Sequence, residues 1–135
     1  MALYLTQATS PHLSHTHDDL KSALYNVLFG IQVTWKLPQS ELAAILHRPE
    51  STVSDWKVKQ TVNVSPEPSP NDLTIYELIE FYDSVSSMFA RVNDQLQWLH
   101  RRSSDFAGES PIELLKKHPK NLYLLRDWLD RAGRP

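Results

Sequence analysis

Residues 73–99 read LTIYELIEFYDSVSSMFARVNDQLQWL, and within them Ile75, Leu78, Tyr82, Val85, Phe89, Val92, Leu96 and Leu99 follow one another at alternating steps of three and four. That spacing keeps every one of them on a single stripe of an α-helix, and it is sustained over the whole segment. An unbroken helix of this length would reach roughly 40 Å, the span of a small domain. Ile79, Phe81 and Met88 widen the apolar face beyond the two-position seam of a coiled coil, so the stripe reads as a core helix. Asn93 can cap a fresh helix, which leaves open a bend near Ala90 to Val92. No segment of the chain alternates apolar and polar residues at period two, so an all-α fold is expected.

Composition bounds what surrounds this element. The chain has 135 residues, 41% hydrophobic and 22% charged, enough to bury one compact core or two packed halves. It has no cysteine, which removes disulfides and thiolate chemistry. No apolar run nears the ~20 residues of a membrane span, and the N-terminus lacks a basic region followed by an apolar one, so a cytoplasmic protein is expected. The net charge is −2 but unevenly spread: residues 61–97 carry one Arg against six acids, whereas residues 98–135 carry eight Lys or Arg against five. An acidic middle beside a basic end fits a charged partner better than indiscriminate nucleic-acid binding.

Residues 1–17 show no sustained period and read as a flexible tail. His12, His15 and His17 beside Asp18 and Asp19 are metal-ligand types, but their spacing matches no known site, so no metal is expected. Thr16 with Asp19 reads as a helix start, followed by an amphipathic stripe of Leu20, Ala23, Leu24, Val27, Leu28 and Ile31. Gly30 weakens that helix late, and Leu37-Pro38 breaks it.

Residues 37–56 read LPQSELAAILHRPESTVSDW. Gln39 to Leu46 is a short helix with Leu42, Ala43, Ile45 and Leu46 inward. His47 to Pro49 is a turn, and Ser51 to Lys57 a second helix with Val53 and Trp56 inward. Two short helices, a tight turn and this spacing form the helix-turn-helix pattern. The QxELAxxL and STxSxW wording resembles the Xre family of bacterial repressors. Carried over by motif position, Glu50, Ser51, Thr52 and Asp55 fall where such domains reach base edges. Lys36, Arg48, Lys57 and Lys59, with Gln39 at a helix N-terminus, are candidates for the phosphate backbone. The helix-turn-helix domain is expected over residues 18–64, and residues 65–72, with Pro66, Pro68 and Pro70, form a semi-rigid connector ahead of a helix capped by Asn71 or Asp72.

Residues 73–135 make the remaining unit. Phe106-Ala107-Gly108 is a turn, and Ser110-Pro111 with Glu113 starts a helix, Ser as cap and Pro at the first position. Asn121 to Arg131 forms the last helix with Leu122, Leu125 and Leu129 on one face, and Gly133 falls where a left-handed residue usually ends a helix. The order WL, F-x-G, SPIELL and LxxLRxWLD, with LIEFYDSVSSMF as linking helix, resembles the toxin-binding domain of Xre/MbcA/ParS antitoxins.

That resemblance implies an antitoxin that holds an NAD-consuming RES-domain toxin, represses its own operon by binding operator DNA, and works as a homodimer. It implies toxin contacts at Trp98, Arg101, Phe106, Ser110, Arg126, Asp127, Trp128, Asp130, Arg131, Arg134 and Pro135. Tyr82, Val85 and Phe89 on the stripe are the expected dimer contacts. The alternative is a stand-alone helix-turn-helix regulator whose C-terminal half only dimerises. No Gly-rich phosphate loop and no nucleophile motif appears, so neither catalysis, a cofactor nor a small-molecule substrate is expected.

Overall fold

The computed structural model describes residues 11–133, with side chains from residue 16 onward. Their fold is all-α: α1 (Pro11–Thr34), α2 (Gln39–Leu46), α3 (Glu50–Lys59), α4 (Pro70–Met88), α5 (Val92–His100), α6 (Pro111–Lys117) and α7 (Lys120–Ala132), with a 3₁₀ turn over Ser104–Phe106. Among the described residues the only extended pairing is an isolated bridge between Ser103 and Glu109.

The first helix starts earlier than its sequence implies. It begins at Pro11 rather than near Thr16, so part of the expected tail is helical; residues 1–10 lie outside the described residues. It runs through Gly30, and its expected stripe divides in two. Leu24, Leu28 and Ile31 are buried, joined by Phe29 and Trp35, whereas Leu20, Ala23 and Val27 are exposed. Lys36 then adopts a left-handed backbone at φ 54°, turning the chain so that Leu37 is buried ahead of α2.

The segment 73–99 is two helices, not one. α4 ends at Met88, Phe89 takes an extended backbone (φ −125°, ψ 102°), and α5 starts at Val92 after Arg91, not Asn93, as N-cap. Gln95 fixes the break from inside: buried, it donates to the Phe89 carbonyl at 2.8 Å and accepts from the Trp35 indole at 3.0 Å. Two bonds to one buried amide hold a chain reversal that would otherwise leave unpaired backbone groups.

The reversal sends the second half of the stripe in a new direction. Ile75, Leu78, Val85 and Leu99 are buried, but Val92 at the joint is 39% exposed. Val85 is fully buried in this chain, Tyr82 lies 5.1 Å from the Trp35 ring, and Phe89 lies 6.0 Å from Trp98. Val85, expected as a dimer contact, is therefore corrected to a core residue, whereas Tyr82 and Phe89 pack on rings of their own chain and stay half-buried.

α4 packs along α7, with Leu122, Leu125 and Leu129 closing over it. α6 packs on α2, where Lys116 pairs with Glu41 at 3.1 Å and the His47 Nε2 lies 3.0 Å from the Leu115 carbonyl. His47 is the left-handed residue that ends α2, a turn residue as its position implied. Gly133, by contrast, is right-handed, with φ −78°.

The cap of α4 is Ser69, not Asn71 or Asp72. Its hydroxyl accepts from Asp72 N, while the Asp72 carboxylate accepts from Ser69 N at 3.1 Å, a closed capping box with Pro70 at the first position. The same carboxylate oxygen accepts from Ser65 N at 3.1 Å, and the other lies 3.5 Å from Arg48. Burial alone would raise the Asp72 carboxyl; the backbone bonds from Ser65 and Ser69, the Ser69 hydroxyl and the Arg48 charge outweigh it and hold the group below its ordinary value.

A carboxyl lowered on folding stabilises the fold above its unfolded value, near 3.9, and that contribution is lost as pH falls through the lower folded value. Acidification from about pH 5 to pH 3 should lower the urea midpoint of the wild type more than that of Asp72→Asn. At neutral pH Asp72→Ala should cost about 3 kcal/mol, because it leaves the Arg48 charge buried and two backbone donors unpaired.

Candidate functional site

Two surfaces carry the side chains singled out by sequence. The first is the face formed by α2, the turn at His47 to Pro49 and α3. Glu50 and Ser51 are exposed in the first turn of α3, Thr52 is half-buried, and Asp55 is exposed but paired with Lys59 at 3.2 Å. Lys57 lies over the Phe29 ring at 5.7 Å and keeps its charge in solvent. Lys36 is exposed just before α2. Gln39 does not stand free at its helix N-terminus, because its amide donates to the Ser54 hydroxyl.

Arg48 is the clearest departure on this face. Its side chain is only 15% exposed, bound to Asp72, with the guanidinium 5.5 Å from the Trp56 ring centre. A charge held this way stiffens the joint between the turn and the connector; it is not offered to a phosphate. Lys36, Lys57 and Lys59 are the exposed cations left near α3, beside the acids Glu50 and Asp55.

The second surface is aromatic. The helix break swings α5 back so that Trp98 stacks on Trp128 of α7, ring centres 6.0 Å apart and planes 24° apart. Phe106 meets Trp128 edge-on at 5.1 Å and Trp98 at 6.3 Å. It is held there by a closed loop in which Gly108 N donates to the Ser103 carbonyl at 2.8 Å and Ser103 N to Glu109 O at 3.2 Å. Ala107 and Gly108 both take positive φ, 56° and 83°, a geometry that suits Gly108 and strains Ala107. All three rings remain half-exposed.

Around them lie contiguous depressions. One of about 180 Å³ is lined by Trp98, Phe106 and Trp128 with Arg101, Ser103 and Asp105. Another of about 370 Å³ continues from Phe106 and Trp128 over Leu114, Leu124 and Leu125. Arg101 is exposed where the first of these meets a third, beside Phe89 and Asp94. A further depression, about 390 Å³ between α4 and α7, lies away from the aromatic rings and holds Asp130.

Trp98, Arg101, Phe106 and Trp128 thus converge; the other expected contacts among the described residues do not. Ser110 is buried and caps α6, accepting from Glu113 N, while the Glu113 carboxylate accepts from Ser110 N. That backbone bond, with the Ser110 hydroxyl and Arg102, lowers the Glu113 carboxyl. Ser110 is corrected to a structural residue. Arg126 reaches back to Glu77 of α4 at 3.1 Å and lies beside Tyr123, and Arg131 pairs with Asp127 one turn earlier. Arg134 and Pro135 lie outside the described residues. Leu124, 54% exposed, was missed. It is out of phase with the buried Leu122, Leu125 and Leu129, and an apolar residue off the buried stripe was the available signal.

Elsewhere, the His17 ring lies 2.9 Å from the Val64 carbonyl, and the side chains of His12 and His15 lie outside the described residues. No described helix is long and apolar enough to cross a membrane. No protein-family model and no curated protein matches the chain.

Ser110→Ala should lower stability by about 1 kcal/mol through loss of the cap, with the aromatic surface intact. Thermal melting, with near-ultraviolet circular dichroism to report the Trp98–Trp128 stack, checks both halves of that statement.

Proposed function

We propose that the chain is an antitoxin that binds and neutralises a RES-domain, NAD-consuming toxin, and that it represses its own operon through α2 and α3. The observation that carries the reading is the half-exposed Trp98–Phe106–Trp128 cluster. Its three rings come from separate parts of the chain, each within a motif that resembles the antitoxin family. A rigid aromatic cluster with an Arg at its rim is the composition that dominates binding energy in protein interfaces. On this reading Trp98, Phe106, Trp128, Leu124 and Arg101 form the contact, while Arg126 ties α7 to α4 through Glu77, and Asp127 and Arg131 pair with each other within α7. Proteins do bind partners through loops alone, but here Trp98 and Trp128 sit on helices whose other faces are buried and Phe106 on a hydrogen-bonded 3₁₀ turn, so little entropy is lost on docking.

Removing α7 is an unsuitable test, because Leu122, Leu125 and Leu129 leave the core with it. Point variants separate contact from scaffold. Arg101→Glu should weaken binding to the toxin at least tenfold with no change in melting temperature, and should let NAD loss proceed in a mixture of the two proteins. If Arg101→Glu and Leu124→Asp both neutralise as well as the wild type, the aromatic surface is not the contact.

Repression is the weaker arm physically. Three exposed cations per copy give a salt slope no steeper than about −3 for each copy bound. Lys57→Ala should weaken binding to all sequences alike, and Ser51→Ala should alter preference at one base position. Titration of the chain's own promoter at several salt concentrations measures both.

A further inference from the structure

The aromatic surface carries charges that the fold leaves unpaired. Asp105 and Arg101 line the same depression of about 180 Å³ as Trp98, Phe106 and Trp128. Both are exposed, and among the described residues neither side chain enters a hydrogen bond or an ion pair, not even with the other. Other charges of this region are matched internally: Arg102 is bound to Glu113, and Lys117 to Glu109. Asp94, exposed and likewise without a pair among the described residues, stands beyond Arg101 in the adjoining depression. The free charges along this rim are therefore net negative.

The rings supply an independent observation. Trp98 and Trp128 lie 24° from parallel, while Phe106 stands at 85° to the first and 66° to the second. They make a corner of two walls, not a flat floor. Aromatic faces carry partial negative charge, so a cation held against such a corner is attracted by it. The carboxylate of Asp105 stands on the same depression and adds a full charge of the same sign.

Any partner that covers these rings also takes Asp105 out of water. An apolar side chain seated there would strand the carboxylate, and an uncompensated buried charge is strongly unfavourable. An acidic side chain would meet Asp105 as a like charge. A lysine would answer the charge, but its ammonium is compact and strongly hydrated. A guanidinium is planar, sheds water more readily, stacks on aromatic faces and forks onto a carboxylate. We infer that this depression receives an arginine side chain of the partner protein, its guanidinium against the rings and paired with Asp105. An acid of the same partner segment then faces Arg101, so that neither rim charge is left uncompensated.

That the partner is a toxin rests on the proposed function; the chemistry of the seat rests on the rings and Asp105. The seat is therefore testable without any toxin. N-acetylarginine amide and its citrulline counterpart have nearly the same shape, and only the first is charged. Titrated into the full chain at constant ionic strength, the arginine compound should shift the indole N–H signals of Trp98 and Trp128, with a Kd of about 30 mM, and leave those of the buried Trp35 and Trp56 in place. The citrulline compound should bind at least tenfold more weakly.

Charge variants complete the test. Asp105→Asn should weaken the arginine compound at least threefold with an unchanged melting temperature, since the Asp105 side chain holds nothing in the fold. Arg101→Glu should tighten it, although the same variant is expected to weaken the toxin; damage to the surface would weaken both. Against the toxin itself, Asp105→Asn should raise the Kd at least tenfold, mainly through faster dissociation. Equal shifts from the arginine and citrulline compounds, no shift of Trp98 or Trp128 up to about 100 mM, or arginine binding unmoved by Asp105→Asn would each overturn the inference. Those outcomes involve no toxin and leave the proposed function standing. Toxin binding indifferent to Asp105→Asn but weakened by Arg101→Glu would likewise overturn the arginine seat alone.

Discussion

Trp98 meets Phe81 at 6.1 Å on one side and stacks on Trp128 at 6.0 Å on the other, and much of the molecule is arranged to make that contact. Phe81 is fully buried and touches Trp35, itself buried at the end of α1. A run of rings therefore leads from the deepest part of the core to a surface that water reaches. Aromatic pairs in this range contribute about 0.5–1.5 kcal/mol each beyond the area they bury. The energy is moderate, but the geometry is demanding. Trp98 can reach both neighbours only because the chain reverses between Met88 and Val92, and the buried Gln95 amide holds that reversal.

A second fixed point governs the other end of α4. Asp72 gathers the connector, the helix start and the turn between α2 and α3 around one carboxylate. The semi-rigid linker implied by Pro66, Pro68 and Pro70 is thus tied down, and Val62 and Val64 are buried beneath it. With α6 docked on α2, the two ends of the chain share one core. Arg48 belongs to this joint, and its removal from the phosphate-facing set leaves an electrostatically modest head. The more developed surface is the aromatic one.

Much of the fold was legible because helical period is a strong signal. The α2 boundaries, the turn at His47, the Ser110 cap with Glu113 and the loop at Phe106 to Gly108 all follow from local residue chemistry. The failures share a cause. A stripe at steps of three and four does not reveal a three-residue interruption, since Val92, Leu96 and Leu99 keep the phase across it. Nor does it show whether the far side of an apolar helix is covered by the same chain, which is why Val85 was read as a dimer contact and Leu20 and Val27 as core. The convergence of Trp98, Phe106 and Trp128 could be anticipated only from motif resemblance. Arg48 and Arg126 were misread for a different reason: a charged residue's partner depends on the tertiary neighbour, here Asp72 and Glu77, which periodicity does not encode.

On the proposed function, the half-buried rings of Trp98, Phe106 and Trp128, and not the head or the rest of α7, form the partner surface. The chain has four tryptophans, of which Trp35 and Trp56 are buried while Trp98 and Trp128 reach solvent. Fluorine NMR of the 5-fluorotryptophan-labelled chain, recorded with a soluble paramagnetic agent, resolves them. Free protein should show broadening at Trp98 and Trp128 alone. Saturation with an unlabelled RES-domain toxin should protect and shift those two resonances and leave Trp35 and Trp56 unchanged. A complex that forms while Trp98 and Trp128 stay as broadened as in the free chain would contradict the account.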